Sequence, residues 1–583
     1  MRALLAGLSA HFWRLNLSEI VVVVNRFDLP IAATLLSQRD AQVLVADPLL
    51  QNHAQAQGMA APLLEPGLDA HAYLRAFRQA EQAALQLNRA LAPLLDRWAP
   101  NAGAAAWSSH RTLQMFSTLF CYRDIWKHVV PAHAQRSWHV LLPSNPHDYG
   151  VHSFLPGLTL VDALQAAGIP HTAYGYDCPG ADAFVLPDLR QLPAEIDLLC
   201  HLPTCFHDAA YFGEELHASG LRCGILSSQR YDVALPGHTA TGLIDLSTVA
   251  AELGAEGRAR IDALEVEIKE VLLSHLRPHI LQRSFLLKQI DSLWEVLALQ
   301  GLFYLWLEQR LGAKPPAQLL ISNHDATVHG ALMSFAQNHG MKITVIPHSR
   351  VHNSLLKTDG LKPVCLHHGM QDGPVLDLSE RVLPSRRLSY PGTWQAPQVL
   401  AQVEAKPFQT LGLILNGISG NGVCVVDFNQ YIADIDHIRS WAKARGIQFK
   451  LRVRAAETPI GLVGERLNIP AQELLQHAQG SLLDFARGCD VCVGYDSPTS
   501  GLQDLIREGV PSLQIDRRPL SRLEWSIIDA RIVPRYAMSE GLERLGFMHS
   551  NPAEFQAFAQ RQHEAGLASQ HGAQPLRHWL LAN

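Results

Sequence analysis

Hydrophobic residues in this chain fall into short, nearly unbroken runs separated by longer stretches with helical spacing, and this alternation repeats from end to end. The first run, residues 20–24, is β-branched throughout and predicts a buried strand. Residues 25–28 turn into a helix that tolerates Pro30 in its first turn, and residues 42–46 predict the next strand. That spacing is a short βαβ unit, which implies a parallel pair. From Ala70 to about Val130 the pattern becomes helical. A fresh rhythm opens with a strand at 138–142 and a loop at 143–150. It continues with a helix near 158–167 and strands at 171–176, 196–200 and 221–226. Residues 256–311 predict a long helical stretch broken at Arg277-Pro278. Its closing segment, 293–306, has Glu295 as its only charge and is too short for a membrane span, so it predicts a core helix.

The rhythm resumes with a strand at 318–322, a loop at 323–330, a helix at 331–338 and a strand at 342–346. A polar, proline-marked passage at 374–407 reads as an interdomain linker. Beyond it come strands at 410–416, 448–452, 491–494 and 511–515, and helices at 431–445, 481–487 and 500–508. Strands and helices of these lengths in alternation predict doubly wound parallel sheets. The expected fold is therefore α/β, with two Rossmann-like domains and an additional N-terminal α/β module. Residues 1–135 are the module, 136–373 a Rossmann-like domain with a long helical insertion, 374–407 the linker, and 408–583 the second Rossmann-like domain. Ligands of open α/β sheets sit at the carboxyl ends of the strands, and two such edges across a cleft suit a two-substrate reaction.

Composition narrows the function classes. The 583 residues suggest about three or four domains at roughly 100–200 residues each. Forty glycines and 34 prolines are near average usage, against a collagen-like or generally disordered chain. Lys plus Arg total 48 against 54 acidic residues, giving 48 − 54 = −6, and there is no long basic run, so nucleic acid is not expected as a partner. Nine scattered cysteines read as small buried hydrophobes in a reducing cytoplasm. No run of 18 apolar residues occurs. Residues 1–10 faintly resemble a signal peptide. His11, Trp13 and Arg14 follow a short apolar stretch, which predicts an amphipathic helix on the protein or on a membrane surface instead.

Several loops could carry chemistry. At 492–511 a buried strand delivers a small-residue loop to a helix start. There Ser497, Thr499 and Ser500 offer hydroxyls beside unpaired backbone N–H groups, which suits either helix capping or an anion such as phosphate. Residues 417–422 hold three glycines, so backbone can approach a ligand closely or simply form a surface turn. Arg452 and Arg454 share one side of a strand; one could neutralise a phosphate while the other stays solvated or ion-paired. A second candidate spans Ser322 to Gly330 and 345–349, two loops at the carboxyl ends of neighbouring strands, where Asp325 and His348 could meet. Asp325 reads either as a cleft carboxylate or as an N-cap, and His324 and His329 as site or structural histidines. The loop holding His147, Asp148 and His152 is a candidate of second rank, equally readable as a turn.

No metal is expected. His324 and His329 are five apart rather than the four that shares a helix face, and Cys489 and Cys492 straddle a helix end and a core strand.

The C-terminal third resembles the donor domain of GT-B glycosyltransferases, particularly those assembling bacterial capsule and lipopolysaccharide glycans. In that superfamily a strand ends in a small-hydroxyl loop, the next helix carries an acidic or amide residue, and Gly-x-Pro precedes another strand. Tyr495 to Ser500, Gln503-Asp504 and Gly509-Val-Pro511 follow that order. The segment ending Asn416-Gly417 looks like the loop near the donor phosphates. The strand through Arg452 and Arg454 departs from the usual Arg-x-His-Pro ending: Ala455, Ala456, Glu457 and Thr458 precede Pro459, with no histidine. The loops at 322–330 and 345–349 resemble the last βαβ of the partner domain, with Pro347-His348-Ser349 where Gln-His-Gly is frequent.

The resemblance implies a metal-independent enzyme with no cofactor, because the nucleotide-sugar is a substrate. Donor contacts would fall on Asn416, Gly417, Ser419, Gly420, Asn421, Arg452, Arg454, Tyr495, Ser497, Thr499 and Ser500. Catalytic roles would fall on Asp325, His348, His324 and Asp148, with His147 and His152 toward the acceptor. The partners implied are a nucleotide-sugar donor and a saccharide or glycolipid acceptor, at a cytoplasmic site open to peripheral membrane association. A CMP-linked acidic sugar, such as Kdo or a sialic-acid-like sugar, is the donor suggested by kinship. A nucleotide-sugar 2-epimerase and a non-catalytic glycan-assembly binding protein are the alternatives.

Overall fold

The computed structural model describes residues 19–582 apart from 65–67, 69–70, 104–108, 144–149, 178–184, 204–208, 229–233, 282, 323–327, 347–360, 362, 369–374, 377–380, 390–405, 418–426, 456–457, 521 and 526. The possible leader and surface helix at residues 1–14 lie outside this set. Among the described residues the fold consists of three parallel sheets flanked by helices, all wound on one plan, and one two-stranded antiparallel pair.

The N-terminal sheet contains β1 (Glu19–Val23), β2 (Ala41–Val45), β3 (Ser137–Pro143) and β4 (His171–Tyr176), in the order β2-β1-β3-β4. After a short strand β5 (Val185–Pro187), the middle sheet takes β6 (Leu198–His201) and β7 (Cys223–Ile225). β8 (Leu243–Asp245) pairs antiparallel with β5. β9 (Gln318–Ser322), β10 (Lys342–Ile346), β11 (Val364–His368) and β12 (Ser385–Leu388) complete the middle sheet in the order β12-β11-β10-β9-β6-β7. The C-terminal sheet holds β13 (Thr410–Leu415), β14 (Gln448–Arg452), β15 (Val491–Tyr495), β16 (Ser512–Asp516) and β17 (Arg535–Ala537), ordered β14-β13-β15-β16-β17. In each sheet the chain starts centrally, adds one neighbour, then crosses to the other side. Each therefore has one switch point: between β1 and β3, between β6 and β9, and between β13 and β15.

Strands buried on both faces explain the continuous apolar runs. In β1, Ile20 and Val22 face the helices Ser109–Ala132 and Gly150–Ala166, while Val21 and Val23 face Leu29–Gln38 and Pro48–Ala56. Each fully buried aliphatic side chain of this kind contributes about 1.5–3 kcal/mol. The apolar segment at 293–306 lies inside the helix Arg283–Leu311, with Phe303 and Trp306 fully buried in the largest core. The helical stretch before it ends at Leu276, and its first helix, Leu246–Asp262, is kinked at Gly254, whose φ is +69°. Among the described residues no helix is long and apolar enough to cross a membrane.

Strand partners differ from the expected division at three places. β3 pairs with β1 and β4 with β3, so the first sheet runs past residue 135 to Tyr176. β12 falls inside the passage expected to be a linker, where Cys365 pairs with Ser385 and His368 with Leu388. The last helix, Leu576–Leu581, leaves the C-terminal unit and packs Leu576 and Leu580 against Leu198, Cys200 and Leu366 of the middle core. Lys342 Nζ donates to the carbonyls of Trp579 and Ala582, and Arg577 pairs with Glu215 at 2.9 Å. The N-terminal unit also touches the C-terminal one: Leu63 joins its core, and Arg518 lies 4.8 Å from the centre of the Tyr73 ring.

Candidate functional site

The C-terminal switch point unites two loops that lie 80 residues apart in sequence. β13 and β15 are paired, with Leu415 opposite Tyr495, so their following residues emerge side by side. The Asn416 side chain bridges them: its Nδ2 donates to the Pro498 carbonyl at 3.3 Å, while its Oδ1 accepts from the Gly417 N–H at 3.0 Å. Ser497, Thr499 and Ser500 are half-buried around this bridge. The Gly501 N–H donates to Thr499 Oγ1 at 3.3 Å, whereas Ser500, at the start of the helix Gly501–Arg507, makes no side-chain cap. That helix has seven residues, so hydroxyls and loop N–H groups outweigh its dipole.

Two candidates in this region are structurally committed. Tyr495 is fully buried and donates its hydroxyl to Asp434 Oδ2 at 2.5 Å, and burial pushes its phenol pKa up. Arg452 donates to the carbonyls of His477 and of Gly480, the latter at 2.8 Å, at the end of the helix Ala471–Gln479, and burial lowers its pKa. Arg454 is exposed beyond the strand end. Ser419, Gly420 and Asn421 lie outside the described residues.

Sequence reasoning missed Asp496. Its φ is +62°, a left-handed conformation that Asp adopts more readily than most residues. Its buried carboxyl is pushed up by desolvation and held back by Arg518, whose Nε lies 3.3 Å from Oδ1. Arg518 also grips Glu524 with two bonds, at 2.6 and 3.2 Å. This ion network stands directly behind the 497–500 loop, and its only sequence signal is an acid immediately after a wholly apolar strand.

The middle switch point is different in kind. His201 ends β6 opposite Ile321 of β9, and His329 opens the helix His329–Asn338. Their rings meet edge to face with centroids 4.8 Å apart and planes at 86°. Both are buried, and desolvation lowers the His201 pKa to about 4. The Ser227 backbone lies close enough to favour the charged form slightly, yet neither His201 nitrogen has a well-formed hydrogen bond among the described residues. Ser322 Oγ, at the end of β9 opposite Ile346, is likewise buried with no described partner. His201 is thus a neutral imidazole at pH 7, able to donate from one nitrogen and accept at the other. The sequence reading missed it because the strand was drawn to end at Cys200. His324, Asp325 and His348 lie outside the described residues, on the segments that follow β9 and β10.

At the N-terminal switch point the polar groups are fully used. Asn25 Oδ1 accepts from the N–H groups of Phe27 and Asp28 at 2.8 and 3.2 Å. Asp28 accepts from the Val24 and Asn25 N–H groups at 2.8 and 3.1 Å, from Asn25 Nδ2 at 3.1 Å and from the Tyr176 hydroxyl at 2.6 Å. Burial outweighs these bonds and raises the Asp28 pKa to about 7. His147 and Asp148 lie outside the described residues; His152 falls within the helix Gly150–Ala166.

Cys489 and Cys492 are buried beside each other against Gly412, where a Cβ would meet both sulfurs at 2.7 and 3.2 Å. They close a strand–helix contact in the core. No known protein-family model matches the chain, and no curated protein matches it.

Proposed function

We propose that the protein is a metal-independent glycosyltransferase of the GT-B type, acting in the cytoplasm on surface glycan biosynthesis. It transfers a sugar from a nucleotide-activated donor to a saccharide or glycolipid acceptor. The observation that carries this reading is the Asn416 bridge, which joins the two loops singled out for donor phosphates into one edge at a sheet's switch point. Hydroxyls of Ser497, Thr499 and Ser500 supply hydrogen bonds suited to a nucleotide phosphate. A CMP-linked acidic sugar is the donor class to test first.

In this reading Asp325 supplies the reacting carboxylate. It deprotonates the acceptor hydroxyl for in-line inversion, or attacks the anomeric carbon for retention by double displacement. His348 holds the donor phosphate or assists its departure. His201, at the end of β6, and His329, at the start of the helix after β9, stand buried ring against ring on that side of the sheet. Support for a second edge working with the first comes from the physical ties between units, through the helix Leu576–Leu581 and the Arg518–Tyr73 contact.

The test is a transfer assay with CMP- and UDP-sugars, comparing wild type with Asp325→Ala. The expected result is loss of transfer by at least about 100-fold with nucleotide affinity retained. Full activity in Asp325→Ala removes that residue from the mechanism. Turnover of nucleotide-sugar without acceptor identifies an epimerase instead.

A further inference from the structure

A fourth polar region lies away from the switch points, at the outer edge of the middle sheet. β12 is that sheet's terminal strand, three strand spacings from β9, which is roughly 14 Å at about 4.8 Å each. Beside it is a cavity of about 440 Å³, lined by His367, Ser385, Arg386, Arg387, Arg531, Gly572 and Trp579. Four segments meet here. β11 and β12 supply His367 and the Ser385–Arg387 run, the turn before β17 supplies Arg531, and the C-terminal segment supplies Gly572, ahead of the last helix, and Trp579, within it.

The walls are fixed in place. The Gln574 N–H donates to the Arg387 carbonyl at 3.1 Å, and the Ser389 N–H donates to the Gln574 carbonyl at 2.8 Å, so residue 574 extends the sheet. Trp579 Nε1 donates to the Arg387 carbonyl at 3.1 Å. Arg531 is clamped by Asp529, with Nη2 and Nε at 2.6 and 3.0 Å from its carboxylate.

The charge is one-sided. Three arginines line the cavity and, among the described residues, no acidic residue does. Asp529 neutralises Arg531, but Arg386 and Arg387 remain as net positive charge in a chain whose total is −6. Each guanidinium carries five N–H donors. The described bonds of Arg386 and Arg387 use one N–H each, to the Ser385 carbonyl at 2.9 Å and the His571 carbonyl at 2.8 Å. Like charges on one wall repel, and a bound anion reverses that sign.

We infer that this cavity is an anion-binding site for a ligand carrying two or more phosphate or carboxylate groups, distinct from the three switch points. Arg386 and Arg387 bind the anionic groups, Arg531 forms the opposite wall, and Trp579 offers a flat face for a sugar ring or other apolar part. The site itself does not depend on the transferase reading. Naming its occupant as a charged acceptor glycan does rest on that reading.

Isothermal titration of the full-length protein with pyrophosphate and, separately, tri-galacturonate tests this at two salt concentrations. The expected result is binding of at least one probe, weakened by added salt, and reduced five-fold or more by Arg386→Ala and abolished by Arg386→Glu. Arg386 is exposed and bonded only to its own neighbour's carbonyl in the described contacts, so both variants keep the fold. Preference for pyrophosphate marks a phosphate-bearing ligand, and preference for the uronate an acidic saccharide. No heat from either probe at low salt, or unchanged binding in Arg386→Glu, overturns the inference. Nucleotide binding at Asn416, measured on the same variants, stays unchanged, which separates a failure here from a failure of the transferase reading.

Discussion

The N-terminal and middle sheets are wound alike, yet their switch points carry opposite polar chemistry. After β1, Asn25, Asp28 and Tyr176 satisfy one another and the local backbone. At the end of β6 and β9, His201 and Ser322 are buried without a well-formed hydrogen bond among the described residues. A closed network fixes a turn; buried groups left open have a desolvation cost of about 1–3 kcal/mol each that a structural role does not repay. The same topology thus serves as scaffold in one unit and as a candidate site in another. The C-terminal edge lies between these extremes, with Asn416 engaged and the serine and threonine hydroxyls half-exposed.

Substitution at the closed edge has the largest expected effect on stability. Asp28→Ala strands the Val24 and Asn25 N–H groups, the Asn25 amide and the Tyr176 hydroxyl, and lowers unfolding free energy by about 3–5 kcal/mol in urea titration. His201→Leu is expected to leave stability unchanged or raise it by about 1 kcal/mol, while reducing transfer at least about ten-fold. A large stability loss in His201→Leu breaks the comparison, because it places that residue with Asp28 as scaffold.

Opposite pH signs sharpen the contrast. Asp28 has its pKa raised to about 7, so the folded state holds a proton that the unfolded chain releases near 3.8. Its stability contribution is full below that lower value and is lost as pH rises through 7. His201 has its pKa lowered to about 4, so the unfolded chain binds a proton near 6.5 that the folded state refuses. Its contribution is present above 6.5 and is lost as pH falls through 4. The Asp28 change is worth about 4 kcal/mol and the His201 change about 3 kcal/mol. Between pH 4 and 6.5 the two slopes oppose, so wild-type stability is nearly flat. Asp28→Asn leaves stability rising with pH in that window, and His201→Leu leaves it falling. Parallel slopes in the two variants contradict the assigned environments.

The smallest effects are expected at the C-terminal edge. Asn416→Ala removes the bridge and weakens nucleotide binding about five- to ten-fold, and Ser500→Ala about three-fold, with folding intact.

Much of the secondary structure was legible because double burial writes strands as apolar runs. The expected bounds at 171–176, 318–322, 342–346 and 448–452 match β4, β9, β10 and β14. Pairing was not legible: nothing in residues 137–143 announces that they join β1 across the helices Ala72–Trp98 and Ser109–Ala132. Ser385-Arg-Arg-Leu388 was hidden because an edge strand carries polar side chains, so it looked like linker. In the site, the pairing of Asn416 with the 497–500 loop could be anticipated from two strand ends. The Asp496–Arg518–Glu524 network could not, since its members come from three separate loops and helices.

The most direct test of the account is a thermal-shift screen of wild type and Asn416→Ala against CMP, CDP, UDP, GDP and ADP. A ligand at about 100 times its dissociation constant adds roughly 2.7 kcal/mol of stability, enough for a visible rise in melting temperature. The account predicts stabilisation selective for one base, CMP first, that shrinks in Asn416→Ala and persists in His201→Leu. Absence of a shift with all five nucleotides at millimolar concentration, or a shift of equal size in Asn416→Ala, contradicts a nucleotide site at the C-terminal edge.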